Sequence, residues 1–129
     1  MQIFQSRQSV EPEFGGDSSA GVEMLMAAYE SQQSKVWVEV SGVVHKTLAD
    51  DNKGSRHQRF IYKLNNGHTV LVAHNIDLAP YVPLEQGDAL NIRGRYEWNK
   101  KGGVLHWTHH DSKGHIRGGW IELDGKQYK

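Results

Sequence analysis

The spacing of apolar residues changes period once along this chain. Between residues 18 and 33 the apolar positions Val22, Leu25, Met26 and Tyr29 recur at the three-and-four spacing of one helical face, with Asp17 or Ser18 placed to cap it. From Val36 the period becomes two. Val36, Val38 and Val40 alternate with Trp37, Glu39 and Ser41, and Gly42 offers a bend before Val43 and Val44. Asp50–Ser55 is a turn cluster, followed by a second strand over about His57 to Leu64. Asn65-Asn66-Gly67 reads as a hairpin turn, because Asn-Gly readily supplies the positive φ angles of a type I′ turn. A third strand is expected from His68 to His74. Asn75 to Leu84, with Pro80 and Pro83, is a connection with room for one short helical turn. A fourth strand runs from Ala89 to Trp98, a fifth from Val104 to His110, and a short apolar one from Gly119 to Leu123.

A long, bent first strand, a hairpin, a connection and a final pair make up the plan of a mainly β, five-stranded barrel of the oligonucleotide/oligosaccharide-binding (OB) type, preceded by an α-helix. Leu84–Gly94 carries the Gly-Asp, alternating strand and glycine of a fourth OB strand. Another small barrel or a half-open sandwich shares the pattern. Residues 1–17 read as a flexible arm, 18–33 as a helix packed on the barrel and 36–129 as the barrel domain. The helix stripe also suits a partner-binding surface, although docking on its own domain is the simpler use of such a face.

At 129 residues one hydrophobic core is expected, and no disulfide is available to support it, because the chain has no cysteine. That absence also excludes thiolate metal sites and cysteine nucleophiles. No apolar run approaches the roughly 20 residues of a membrane-spanning helix, and Met1–Arg7 does not read as a secretory leader. The formal net charge is zero, but residues 1–35 hold two basic and five acidic side chains, and the remainder 13 basic and 10 acidic. This asymmetry is milder than the basic stripe of a duplex-DNA binder. All eight histidines lie between His45 and His115.

Three constellations could carry chemistry. In Val104–Asp111, an extended strand would turn His106, Thr108 and His110 to one face and Trp107, His109 and Asp111 to the other. With His74, Asp77, His57 or His115 as partners, His106, His109, His110 and Asp111 form a candidate site for a divalent metal such as zinc, manganese or nickel. Imidazoles bonded to backbone are the alternative. The second constellation is Arg56, His57 and Arg59 beside His74, Asn75 and Asp77. A hairpin centred on Asn65–Gly67 brings these two stretches together with His57 near His74 or Asn75. Imidazoles with a guanidinium clamp suit phosphodiester chemistry, and an ion-paired sheet end with Arg56 or Arg59 on Asp77 is the structural alternative. The third is aromatic and basic: Tyr96, Trp98 and Trp107 interleaved with Arg93, Arg95, Lys100 and Lys101, a composition suited to stacking single-stranded nucleic acid. Trp98, next to the Asn99–Gly103 turn, is expected to be exposed. The phosphate-binding loop, the His-Glu-x-x-His pair and the Gly-x-Ser-x-Gly elbow are absent.

Gly54–Ile61, Ala73–Pro80, Tyr96–Asn99 and Gly103–Asp111 resemble segments of a family of small, uncharacterised bacterial proteins, domain of unknown function thirty-four sixty-five. The resemblance spans about Val36 to Tyr128. Arg95 and Ser112 stand where the family more usually has glutamate and proline. It implies an extracytoplasmic location and no assigned activity. Three functions are therefore expected to compete. One is a binding module for a small anionic or single-stranded polymeric ligand, using Arg56, His57, Arg59, His74, Asn75, Asp77, Trp98 and Trp107. Another is a metal-dependent phosphodiester hydrolase with His74, Asp77, His106, His109, His110 and Asp111 as ligands. The last is a surface for a protein partner or a second copy of the chain.

Overall fold

The computed structural model describes residues 18–129. The arm and Asp17 lie outside the described residues. One helix, α1 (Ser18–Glu30), precedes seven strands: β1 (Val36–Thr47), β2 (His57–Leu64), β3 (Thr69–Asn75), β4 (Ala89–Glu97), β5 (Val104–His106), β6 (Trp120–Leu123) and β7 (Lys126–Tyr128). Antiparallel pairing joins β1 to β2, β2 to β3, β5 to β4 and β4 back to β1, while β3 and β5 run parallel. The five strands close into a mixed barrel of OB-like topology. β6 and β7 form an extra hairpin hydrogen-bonded to β4.

β1 can serve two neighbours because it bends. It pairs with β4 from Val36 to Val43 and with β2 from Gly42 to Thr47. A Cβ on Gly42 would lie 2.3 Å from the Lys63 carbonyl oxygen, so this crossing point requires glycine. Strict alternation then fills the barrel: Val38, Val40 and Val44, Phe60, Tyr62 and Leu64, Val70 and Val72, and Leu90, Ile92 and Tyr96 are all buried. Tyr62 donates its hydroxyl proton to the Leu90 carbonyl (2.8 Å), and Tyr96 donates to Gly102 (2.8 Å). Tyr96 therefore belongs to the core and not to an outward stacking platform.

The helix lies against the first half of β1. Leu25 and Ala28 are buried, with Val22, Met26 and Tyr29 packed against the same core. Its close approach is permitted at Gly21, where a Cβ would fall 1.7 Å from the Glu39 carbonyl oxygen. The helix ends at Glu30, short of the expected Gln33, because Gln32 takes a left-handed φ of 57°. Gln32 N–H then bonds to Tyr29 O (3.3 Å) and Gln33 N–H to Ala28 O (2.8 Å), the pairing of a Schellman cap. Trp98, expected to be exposed, is partly buried here. Its indole Nε1 donates to Tyr29 O (3.0 Å) and its backbone N–H to Ser34 Oγ (2.9 Å), fixing the helix to the barrel.

Two other local expectations are corrected. The fifth strand stops at His106 instead of continuing to His110, because Trp107 turns left-handed (φ 55°). The apolar strand near the end is half of a hairpin whose turn, Asp124-Gly125, takes φ of 52° and 82°. Among the described residues no helix is long and apolar enough to cross a membrane.

Candidate functional site

The residues of β1, β4, β5 and β6 that alternate away from the core form one outward face. Strand register lays them in rows: Trp37 beside Arg95 beside His106, then Glu39 beside Arg93 beside Trp120. Arg93 stacks its guanidinium over the Trp37 ring, 4.8 Å from the centroid, and Arg95 over Trp107 at 5.1 Å. The two indoles meet at 5.8 Å, tilted, and Trp107 stacks on His109 at 6.0 Å. Two carboxylates on this face are shared. Glu39 Oε2 accepts from Arg93 Nη1 (3.3 Å) and Arg117 Nη1 (3.1 Å), while Glu97 Oε2 lies 3.0 Å from Arg95 Nε and 2.8 Å from His106 Nε2.

Trp107 reaches this face only because of its backbone. Continued alternation after the outward His106 would send the indole inward. The positive φ instead keeps Trp107 with His106 and His109, and sends Thr108 into the core. A left-handed conformation is unfavourable for a bulky L residue, and such strain concentrates at sites that use it. Beside it stand two buried donors with no hydrogen-bond partner, Trp107 Nε1 and Arg95 Nε. Arg95 is close to Glu97, but its Nε–H does not point at that oxygen. Arg93, by contrast, is held firmly. Its Nε donates to Gly118 O (2.8 Å), and its carbonyl abuts Gly119, where a Cβ would fall 2.3 Å away. Burial, and then the charge of Arg117, pulls the Arg93 pKa below the ordinary arginine value.

A second polar cluster faces inward at the far end of the barrel. His57 stands opposite Asn75 and Gln58 opposite His74. His74 has no exposed surface; its Nε2–H donates to Pro80 O (2.9 Å), so Nδ1 is the acceptor for the Thr108 hydroxyl (2.7 Å). Burial pushes the His74 pKa down to about 4, which keeps the ring neutral. Gln58 holds both polar atoms of Val82, donating to its carbonyl (2.7 Å) and accepting from its N–H (2.9 Å). Together they strap the connection between β3 and β4 across the barrel end.

The other residues singled out in the sequence are dispersed between these clusters. Arg56 holds Asp77 through both its backbone N–H and its Nε, at 2.8 Å each, and those two bonds lower the Asp77 pKa. Arg59 Nε donates to Ala49 O (3.1 Å), His57 Nδ1 to Ser55 O (3.0 Å), and Asn75 Oδ1 accepts from Asp77 N–H (2.9 Å). The Asp111 carboxylate accepts from the backbone of Lys113, His115 and Ile116, which organises the loop carrying Arg117, and the bond from Lys113 leads in lowering its pKa. His109 donates to His110 O (2.7 Å), and His110 to Lys129 O. Burial lowers the His109 pKa. His106, His109 and Trp107 thus gather on the outer face, His74 and Thr108 inside, and Arg56 with Asp77 at the exposed sheet end. Among the described residues no group of three or more His, Asp or Glu side chains is arranged to hold a metal ion.

Sequence reasoning passed over Trp37, Glu39, Glu97, Arg117 and Gln58. The period-two signal held a clue for the first of these. Once Val36, Val38 and Val40 are read as one side of β1, Trp37 and Glu39 must share the other. The chain matches no curated protein. A family model described as Protein of unknown function (DUF3465) matches residues 10–129, and the chain belongs to that family.

Proposed function

We propose that this protein is a non-catalytic binding module that holds a single-stranded nucleic acid across the outer face of β1, β4 and β5. The observation carrying this reading is the pair of guanidinium–indole stacks, Arg93 on Trp37 and Arg95 on Trp107. Bases stack on aromatic rings whatever their identity, and guanidiniums neutralise the backbone between them. Arg93 and Arg95 are two residues apart on one strand, roughly 7 Å by strand rise, a distance comparable with one step of an extended single strand. The mixed charge of the face favours moderate, salt-sensitive binding without base readout.

A labelled oligothymidylate followed by fluorescence anisotropy at low salt tests the reading. Trp37→Ala and Trp107→Ala should each weaken binding by about tenfold or more, the scale of one base–aromatic stack. Trp98→Ala, which alters the helix anchor, should leave affinity unchanged in whatever fraction stays folded. Failure of the folded wild-type protein to bind any single strand at low salt overturns the reading. Binding only to a sulfated polysaccharide would overturn it too.

A further inference from the structure

We infer that Arg93 and Arg117 form an oxyanion seat for a phosphodiester of the ligand, and that the Glu39 carboxylate occupies this seat until the ligand displaces it. The inference rests on the binding reading above and adds to it a built-in competitor. A single oxygen, Glu39 Oε2, is shared end-on by two guanidiniums at 3.3 and 3.1 Å. Two cations converging on one oxygen leave positive charge unbalanced, whereas a phosphodiester offers a separate oxygen to each.

The two arginines differ in freedom. Arg93 is the fixed wall, with its side chain only 15% exposed, stacked on Trp37 and bonded to Gly118 O. Arg117 is the movable one, at 66% exposed. One strand step away the pattern repeats: the Glu97 carboxylate stands between Arg95 and His106. On this face three arginines thus meet two carboxylates, each carboxylate in a position that suits a ligand anion. The Trp107 indole N–H, buried without a hydrogen-bond partner, lies on the same strip.

Glu39→Gln removes the competing charge while keeping the shape. Oligothymidylate affinity should rise by about tenfold, the scale of one charge-assisted hydrogen bond. The plot of log affinity against log salt should steepen by roughly 0.7 for each guanidinium freed. Arg117→Ala, at an exposed position that does not threaten folding, should weaken binding and flatten the slope by about 0.7. Glu122→Gln is the control, because its carboxylate lies on the same face but accepts from Asn91 (3.3 Å) and not from an arginine. An affinity unchanged or weakened in folded Glu39→Gln overturns the seat. So does Arg117→Ala binding like the wild type, or an equal gain in Glu122→Gln. Wild-type binding that is lost in Trp37→Ala yet indifferent to Glu39 and Arg117 condemns only the seat. No binding by the wild type condemns the binding module itself.

Discussion

The inward cluster at His74 and the outward cluster at Trp107 are built from similar residue types, yet their hydrogen bonding is opposite. Inside, both His74 nitrogens and both polar ends of the Gln58 amide have partners at 2.7–2.9 Å, and the carbonyls they hold belong to a loop that closes the barrel. Outside, Glu39 is divided between two guanidiniums, Glu97 between a guanidinium and an imidazole, and two buried donors have no hydrogen-bond partner. A fully satisfied buried network rigidifies a fold, whereas a buried donor left unpaired costs stability. Five of the eight rings donate to backbone carbonyls, so most imidazoles serve as local braces.

The largest expected effect comes from breaking the inner cluster. His74→Ala leaves Pro80 O and the Thr108 hydroxyl unpaired in the core and opens a cavity. It should cost about 3–5 kcal/mol in urea unfolding. Wild-type stability should also fall with acid. Above pH 6.5 His74 is neutral in both folded and unfolded chains, so its contribution is complete. Between 6.5 and about 4 the unfolded chain takes up a proton that the folded one refuses, and stability declines by up to about 3 kcal/mol. Asp77 and Asp111, whose pKa values are lowered, add to the loss only at more acid pH. His74→Gln, which keeps one donor and one acceptor, should flatten the curve between pH 6.5 and 4. A slope undiminished in the variant would show that His74 is not the main titrating group, whereas a smaller residual slope belongs to His109, whose pKa burial also lowers. Oligonucleotide affinity should change far less than stability, since His74 is buried inside the barrel and its hydrogen bond toward the outer face goes only to Thr108, the neighbour of Trp107.

Breaking the outer cluster should do the reverse. Trp107→Gly relieves a left-handed conformation that costs an L residue about 1–2 kcal/mol, and this offsets the ring contacts that are lost. Melting stability should stay within about 1 kcal/mol of wild type, while single-strand affinity falls by about tenfold or more. A loss of several kcal/mol with affinity intact would make Trp107 a structural pin and erase the contrast.

Much of the barrel was legible because alternation and turn chemistry are local. The valines of β1, the Gly42 bend and the Asn65–Gly67 turn yielded the strands, and counting from that turn put His57 near His74 or Asn75, of which Asn75 is its partner. The same parity aligned His74 with Val70 and Val72, the inward side of β3, and so carried a signal of burial that a tally of histidines concealed. What could not be read is what depends on the third dimension. Nothing local announces the flip at Trp107, which exchanged the expected faces of Trp107 and Thr108. Nor does anything local show that Gly21 must admit the Glu39 backbone, or that Trp98 turns to the helix end. Arg117 enters the site from a loop that Asp111 folds back, 24 residues beyond its neighbour Arg93 in sequence.

Gln32 gives the smallest and cleanest test, because it separates strain from function. Like Trp107 it holds a left-handed φ, 57° against 55°, but it sits exposed at the Schellman cap of α1, and no bond links it to either cluster. Glycine is the residue that this cap position favours. Gln32→Gly should therefore stabilise the protein by about 1 kcal/mol in thermal or urea unfolding, the usual gain from an improved helix cap, and leave single-strand affinity unchanged. Paired with Trp107→Gly, it asks whether removing a left-handed side chain disturbs binding by itself. If Gln32→Gly stabilises the fold and binding stays intact, any affinity lost in Trp107→Gly belongs to the indole and its place beside Arg95. If both variants lose affinity alike, the effect comes from altered backbone freedom, and the stacked face is no longer needed to explain it.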